Sequence, residues 1–316
     1  MILVTGSTGF VGINLLVKLS KNRVVALYRN DRKKSLAELY LRKKKVNQKN
    51  IHWKKCDITK ISNLEEVFDR ITHVYHCAGL VSFSISDTEK LRKVNIIGTE
   101  NIVNLCIENK IKKLVYVSSI STLGNESNEI DETLTHFNYN QNTPYSFSKY
   151  KGEMEVWRGI EEGLKAVIIN PGVIMGKYYM NDSPESKIEK MITRYPICLF
   201  TEGETGFVNL NDVIDASIQL MESNITGERF ILVSKNFSYK NVIKKLKQRL
   251  NQKSIMFCVR RPILLFLFYF DLFLSTFYLK KRYMNNGLIQ SFVNRKKYNG
   301  TKITRYIKEF KYTEIF

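Results

Sequence analysis

Apolar residues fall into short runs separated by longer amphipathic stretches. Residues 1–4, 24–28, 51–53, 73–79, 114–119 and 166–169 each read as a short strand, the fourth and fifth running into exit loops. Near-continuous apolar runs of this length suit strands buried on both faces. Between them the spacing becomes helical: at 13–19, over a basic stretch at 35–50 with Leu36, Leu39 and Tyr40 as its inner face, around 64–68, and at 100–109. Strands alternating with helices predict an α/β fold with a parallel sheet. Residues 207–209 and 230–233 add two short strands. A helix capped by Asn211 or Asp212 follows the first. Ser238 opens another, with Val242, Ile243, Leu246 and Leu250 inward. Residues 120–142 read as a polar loop, and 174–205 as an irregular insertion forming part of a substrate wall.

The first strand runs into Thr5-Gly6-Ser-Thr-Gly9-Phe10-Val11-Gly12 and then a helical pattern. Strand, glycine-rich turn, helix is the context in which a dinucleotide pyrophosphate is bound. Gly6 permits the tight turn, Gly9 lets the backbone approach the phosphates at the helix N-terminus, and Gly12 lets helix and strand pack closely. The second strand ends at Arg29, where a simple NAD pattern places an acid for the ribose hydroxyls. A guanidinium there suits a 2′-phosphate, so NADP(H) is favoured over NAD(H), although Asp31 could still serve a ribose. Asp57, at the end of the third strand, can accept from an adenine amino group or act as a turn carboxylate.

Thr143-Pro144 reads as a helix start, with Thr143 capping and Pro144 in the first turn. It places Tyr145 and Lys149 one turn apart on one face. An ammonium beside a phenol lowers the tyrosine pKa and equips it to move a proton. A lone Tyr-x-x-x-Lys is common by chance, and its setting is what gives it weight. Ser119 emerges at the carboxyl edge of the fifth strand, where open α/β sheets bind ligands, and could bond a substrate carbonyl. Asn95, polar within an apolar run, could kink its helix and hold a water, or be a satisfied core amide. Pro171 and Gly172 break the sixth strand and expose backbone at the same edge.

Composition narrows the partners. The 316 residues carry a formal net charge of +20 with an ordinary 44% hydrophobic content. The basic runs lack interleaved aromatics, so most of this charge reads as solvated surface and nucleic acid is not expected as a partner. Five scattered cysteines fit a reducing compartment and neither a disulfide framework nor a zinc site. His73 and His76 lie on opposite strand faces with no ligand cluster, so no metal is expected. No secretory signal precedes the first strand, and a cytoplasmic location is expected. Residues 262–279 are nearly all apolar, between Arg260-Arg261 and Lys280-Lys281-Arg282, with Asp271 in the middle. Three readings compete: a buried helix roofing an apolar substrate pocket, which is favoured, an interfacial helix in peripheral membrane contact, and a span. From residue 253 onward there are 13 Lys or Arg against 3 Asp or Glu, which suits the second.

Taken together, TGSTGFVG at 5–12, CDI at 56–58, HCAG at 76–79, VNIIGT at 94–99, YVSSISTLG at 116–124, YSFSK at 145–149 and NPGVIMG at 170–176 resemble the extended short-chain dehydrogenase/reductase family. That family includes the NAD-dependent epimerase/dehydratases and dihydroflavonol-reductase-like enzymes. The resemblance is firm over about the first 235 residues. It implies a Rossmann-type doubly wound parallel sheet over 1–235, with 171–205 contributing to the substrate wall, and a small, mostly helical substrate-binding region over 236–316. It also implies a homodimer through helices containing 99–110 and 144–162. Tyr145 matches the acid/base, Lys149 the lysine that lowers its pKa and holds the nicotinamide ribose, Ser119 the substrate-orienting serine and Asn95 the proton-relay asparagine. Gly6, Gly9, Phe10, Val11 and Gly12 match the pyrophosphate turn, and Arg29 the NADP-selecting arginine. Asp57, Ile58 and Ala78 match cofactor contacts at the strand ends, and Pro171 to Val173 those beside the nicotinamide.

The resemblance implies an oxidoreductase that moves hydride between nicotinamide and a carbonyl or alcohol of an apolar small molecule. A nucleotide-sugar epimerase or dehydratase with tightly held NAD is the alternative. Against it stand the missing polar diphosphate wall, the absence of an acidic pair after Ser119, and Gly206-Phe-Val-Asn209 in place of an R-D-x-I-H-type segment. A non-catalytic NADP(H)-binding sensor is the third reading, opposed by the intact Ser119, Tyr145 and Lys149.

Overall fold

The computed structural model describes residues 1–124, 129–134, 143–180, 183–277 and 285–316. Positions 125–128 and 135–142 of the expected loop, 181–182 of the expected insertion and 278–279 of the apolar segment lie outside the described residues.

The strands are β1 (Ile2–Thr5), β2 (Val24–Tyr28), β3 (Ile51–Lys55), β4 (His73–His76), β5 (Lys113–Val117), β6 (Glu129–Ile130), β7 (Ala166–Pro171), β8 (Val173–Met175), β9 (Ile197–Phe200), β10 (Glu204–Asn209), β11 (Glu228–Leu232), β12 (Lys235–Ser238), β13 (Ile255–Cys258) and β14 (Lys297–Tyr298). Seven of them form one sheet in the order β11-β7-β5-β4-β1-β2-β3, and every pair in it is parallel. This is the doubly wound Rossmann architecture. The order reverses between β1 and β4, and the crevice at that point is where such sheets take ligands.

Alternate side chains of each central strand feed opposite cores, as the pleat requires. Val4, Val115, Val167 and Ile169 join helices Phe10–Lys18 and Leu210–Glu222 on one face. Leu3, Leu114, Tyr116 and Ile168 join helices Gly98–Glu108 and Pro144–Glu161 on the other. Those last two helices touch at glycines. A Cβ at Gly159 would lie 2.6 Å from Val103 Cγ1, and one at Gly152 would lie 2.2 Å from the Asn95 carbonyl.

Four local expectations are corrected. The helix after β2 is Asp31–Lys43, capped by Asn30, and it buries Ala37 and Leu41. Leu36 and Leu39 are exposed, while the i, i+4 pair 37/41 joins the main core and Tyr40 packs beside it as expected. The next helix is Ile61–Glu65 rather than 64–68. Most of the described residues of 174–205 lie in regular elements. They contain part of β8, a helix Pro184–Arg194 capped by Ser183, and β9. Asn209, not Asn211 or Asp212, caps helix Leu210–Glu222 by accepting from Asn211 N–H. The Asp212 carboxylate instead accepts from Thr313 N–H and Oγ1, tying down the C-terminal segment.

Within residues 236–316, Val259, Leu264 and Ile289 cluster by themselves, while other positions pack toward the sheet. Ile303 and Phe310 join the main core, and β14 pairs with β6. The favoured reading of the apolar segment is overturned. Helix Arg261–Phe277 packs on helix Asn286–Val293 through Leu264, Leu265 and Phe268. Its outer face, from Ile263 to Phe273, is exposed, and it contributes nothing to the cavity described below. A single layer in this small region leaves nothing among the described residues to cover it. No helix among the described residues is long and apolar enough to cross a membrane.

Candidate active site

A cavity of about 1040 Å³ opens at the carboxyl edge of the sheet. All of the residues expected to bind cofactor line it, and so does Ser119. At one end is the glycine turn. Gly6 has φ +66°, and a Cβ there would sit 2.7 Å from Ala78 N; a Cβ at Gly12 would sit 2.3 Å from the Gly6 carbonyl. Only glycine permits this crossing of backbones. The first internal bond of the helix runs from Ile13 N–H to Gly9 O, 3.0 Å. The amides of Phe10, Val11 and Gly12 therefore precede the ladder at the helix N-terminus, where the dipole favours an anion. This cradle fits a dinucleotide pyrophosphate. Tyr178 and Tyr179 donate to the Thr8 carbonyl (2.5 and 2.9 Å) and hold the turn from outside. Both come from the stretch read as irregular, and no periodicity marked them.

At the adenosine end Arg29 is exposed, with Nη1 3.9 Å from Asp57 Oδ2. Lys33 lines the same end. Asp31, the competing ribose acid, is taken by Lys55 at 2.5 Å. That hydrogen bond holds its carboxyl below the usual range.

The reacting end depends on helix Pro144–Glu161. Thr143 and Ser146 form a reciprocal capping box and Pro144 occupies the first position. Ser119 accepts from Ser121 N–H (3.2 Å) and Oγ–H (3.0 Å), and both it and Tyr145 line the cavity at this end. Ser118 points away and donates to Glu153 at 2.6 Å. Lys149 Nζ donates to Tyr116 Oη (2.9 Å) and Val117 O (2.8 Å) and lies 4.4 Å from the Tyr116 ring centre. Burial depresses the ammonium to about 8. The expected lowering of the Tyr145 pKa is not observed. Burial raises it, with the Ser119 hydroxyl opposing, and the Lys149 ammonium donates to Tyr116.

Asn95 lies in a widened π-type turn over Arg92–Ile97, so the kink is present. Its amide donates to Leu80 O (3.0 Å) and Ser148 Oγ (2.8 Å) and accepts from Leu80 N–H (2.7 Å). It thus joins the loop after β4 to the Tyr145 helix from behind the cavity wall. His76 is buried between Thr5 (2.7 Å) and Thr99 (3.1 Å), and burial pushes its pKa down to about 3. Thr5 Oγ1 in turn accepts from Ala78 N–H at 3.1 Å.

Two supports were not singled out in the sequence. Tyr116 is fully buried on β5 and holds Lys149. Glu153 is fully buried one turn beyond Lys149. It accepts from Ser118, Thr122 (2.9 Å) and Asn170 (2.8 Å) and pairs with Arg229 at 3.3 Å. The Lys-x-x-x-Glu spacing on one helical face was the available signal. The far wall combines Phe83, Tyr239, Leu288, Phe292 and Tyr298 with two cations, Lys187 and Lys296. Lys296 is half-buried, and burial lowers it to about 8.

The model of the NAD dependent epimerase/dehydratase family matches residues 2–232. The chain belongs to this family. It is therefore an NAD(P)-dependent enzyme of the extended short-chain dehydrogenase/reductase type. The sterol demethylase protein B of Methylococcus capsulatus is 23% identical over 247 residues, covering 78% of this chain and 73% of that protein. The dihydroflavonol 4-reductase of Dianthus caryophyllus is 26% identical over 262 residues, 78% of this chain and 72% of that protein. The structure of UDP-glucuronic acid 4-epimerase from Bacillus cereus with NAD superposes with a TM-score of 0.75 at 18% identity, covering 99% of this chain and 93% of that one.

Two outcomes test the site. Arg229→Met leaves the buried Glu153 charge without its partner and is expected to cost about 3 kcal/mol in urea unfolding, most of it recovered in the Arg229→Met/Glu153→Gln double variant. Lys149 is charged below about 8 and neutral above it. NADPH affinity, read by fluorescence titration, is expected to weaken as pH rises through that value, and Lys149→Met to abolish the dependence.

Proposed function

We propose that this enzyme is an NADP(H)-dependent reductase of a carbonyl on a largely apolar small molecule, acting reversibly on the corresponding alcohol. The observation that carries the reading is the joint arrangement at the two ends of one cavity. Arg29, exposed and only loosely paired with Asp57 at 3.9 Å, stands with Lys33 at the adenosine end while Asp31 is held by Lys55. Ser119, Tyr145 and Lys149 meet at the other end.

The dinucleotide, when bound on the Gly6–Gly12 turn, supplies the hydride at the substrate carbon or accepts it there. The remaining work belongs to the chain. Ser119 accepts two bonds from Ser121, which leaves its own proton to polarise the substrate oxygen. Tyr145 stays protonated at neutral pH because burial raises its pKa, so it is set to donate to that oxygen as charge develops. Lys149 places an ammonium behind it, held in position by Tyr116 and the Val117 carbonyl. The aromatic wall of Phe83, Tyr239, Phe292 and Tyr298 suits an apolar substrate body and excludes water.

One observation favours a second reading. Lys187 and Lys296 supply a cationic wall of the kind a nucleotide-sugar diphosphate would need. Cofactor state separates the two. The purified protein is expected to arrive without tightly held nucleotide and to bind NADPH more tightly than NADH. Arg29→Ser should weaken NADPH by about tenfold or more and leave NADH unchanged. Protein that arrives loaded with NAD(H) would overturn the reductase reading and make nucleotide sugars the substrates. With a reducible apolar ketone identified from a panel, Tyr145→Phe should lower turnover by about 100-fold or more while preserving NADPH binding. A variant with unchanged turnover would remove Tyr145 from the chemistry.

A further inference from the structure

The largest feature that the enzymatic reading does not use is an apolar surface on the C-terminal region. Helix Arg261–Phe277 turns Ile263, Phe266, Leu267, Phe270 and Phe273 outward, and these are 40–68% exposed. Their spacing of three and four residues makes one continuous stripe. The rings of Phe266 and Phe270 stack at 6.3 Å. Val259 and Arg260 alone separate this helix from β13, which pairs in parallel with β9. The paired positions Ile197 with Ile255 and Leu199 with Phe257 all point to the open face of that ribbon and are 47–68% exposed. An apolar helix stripe and an apolar strand face thus adjoin in the chain. Scattered single hydrophobics need no explanation, but five large apolar residues aligned along one helix, two residues in sequence from an apolar strand face, mark an interaction surface.

Charge selects the occupant. Arg260 and Arg261 begin the helix and are exposed. Arg194 leads into β9, with its guanidinium 5.9 Å from the Tyr195 ring, and Lys240 lies 5.9 Å from the Phe200 ring. Lys244 and Lys247 line a shallow cleft against Met256 of β13. An apolar, aromatic face rimmed by cations is the pattern of an element lying in the interface of an anionic bilayer. A second copy of the chain would bring this basic rim against its own like charge. The helix is about 26 Å long at 1.5 Å per residue, short of the hydrocarbon core. Its inner face is already taken by helix Asn286–Val293.

We propose that the face formed by helix Arg261–Phe277 and the β9–β13 ribbon docks on an anionic lipid bilayer, with the phenyl rings in the acyl boundary and the basic rim on the headgroups. The proposal stands apart from the choice of substrate. It does have a geometric consequence. Helix Asn286–Val293, on which the docking helix rests, lines the cavity through Leu288, Ser291 and Phe292, so docking brings the cavity wall within one helix of the membrane.

The test uses the full chain and sedimentation with vesicles of phosphatidylcholine, alone or mixed with phosphatidylglycerol. The protein is expected to pellet with the mixed vesicles, much less with the neutral ones, and less as salt is raised. The variant carrying Phe266→Ser, Phe270→Ser and Phe273→Ser is expected to lose binding by more than about tenfold. It should still bind NADPH as the parent does, which establishes that it is folded. Parent protein that stays in the supernatant with mixed vesicles at low salt overturns the proposal, as does a folded triple variant that pellets like the parent. So does a stable dimer in light scattering that the triple variant dissociates without any vesicle binding, which would assign the face to a second copy.

Discussion

A carboxylate with no access to water organises the reacting end of this enzyme. Glu153 receives hydrogen bonds from Ser118 at the end of β5, Thr122 in the turn that follows, and Asn170 in β7, and it pairs with Arg229 of β11. An ionised group in that position is tolerable only because every neighbour is a donor or a cation. The same bonds fix three adjacent strand ends relative to helix Pro144–Glu161. Ser119 follows Ser118 directly, and Asn170 also donates to the Ser119 carbonyl at 3.1 Å. The serine that meets Tyr145 is therefore set by a charge one layer beneath it.

The rest of that helix obeys the same economy of space. Its buried positions are Ser146, Ser148, Lys149, Gly152, Glu153, Val156 and Gly159, a stripe with a single large apolar member. Gly152 and Gly159 let it lie against Asn95 and helix Gly98–Glu108 at backbone distance. Such a face cannot be held by hydrophobic burial alone. Hydrogen bonds hold it instead: Asn95 to Ser148, and Lys149 to Tyr116 and the Val117 carbonyl. Lys149 is consequently a structural clamp in this arrangement as well as a charge at the cavity, and Tyr145 is left as a protonated phenol.

The two ends of the cavity differ in how they are built. The pyrophosphate turn is backbone geometry, enforced by contacts that admit no Cβ and locked by Tyr178 and Tyr179 on Thr8. The substrate wall is assembled from distant pieces: the loop after β4, the segment after β8, helix Tyr239–Arg249 and helix Asn286–Val293. The first kind of site shows in a short contiguous motif. The second does not, and it is where the cations Lys187 and Lys296 stood unnoticed among many other lysines.

Much of the fold was readable along the chain because its causes are local. Short apolar runs of three to seven residues between amphipathic helices specify a parallel sheet, and Gly6, Gly9 and Gly12 between strand and helix specify the turn. Thr143-Pro144 specifies where helix Pro144–Glu161 starts, and the four-residue spacing of Tyr145 and Lys149 their shared face. What only the tertiary structure decided depends on partners far away in sequence. The pKa direction of Tyr145 follows from burial, and the partner of Lys149 is Tyr116, 33 residues away. The inner face of helix Asp31–Lys43 is set by what the main core meets, Ala37 and Leu41 with Tyr40 beside them. The apolar stretch at 261–277 has the composition of a buried helix, yet a helix is buried only if something lies on both its sides, and helix Asn286–Val293 covers one. Periodicity reports which residues share a face, and only packing determines what that face meets.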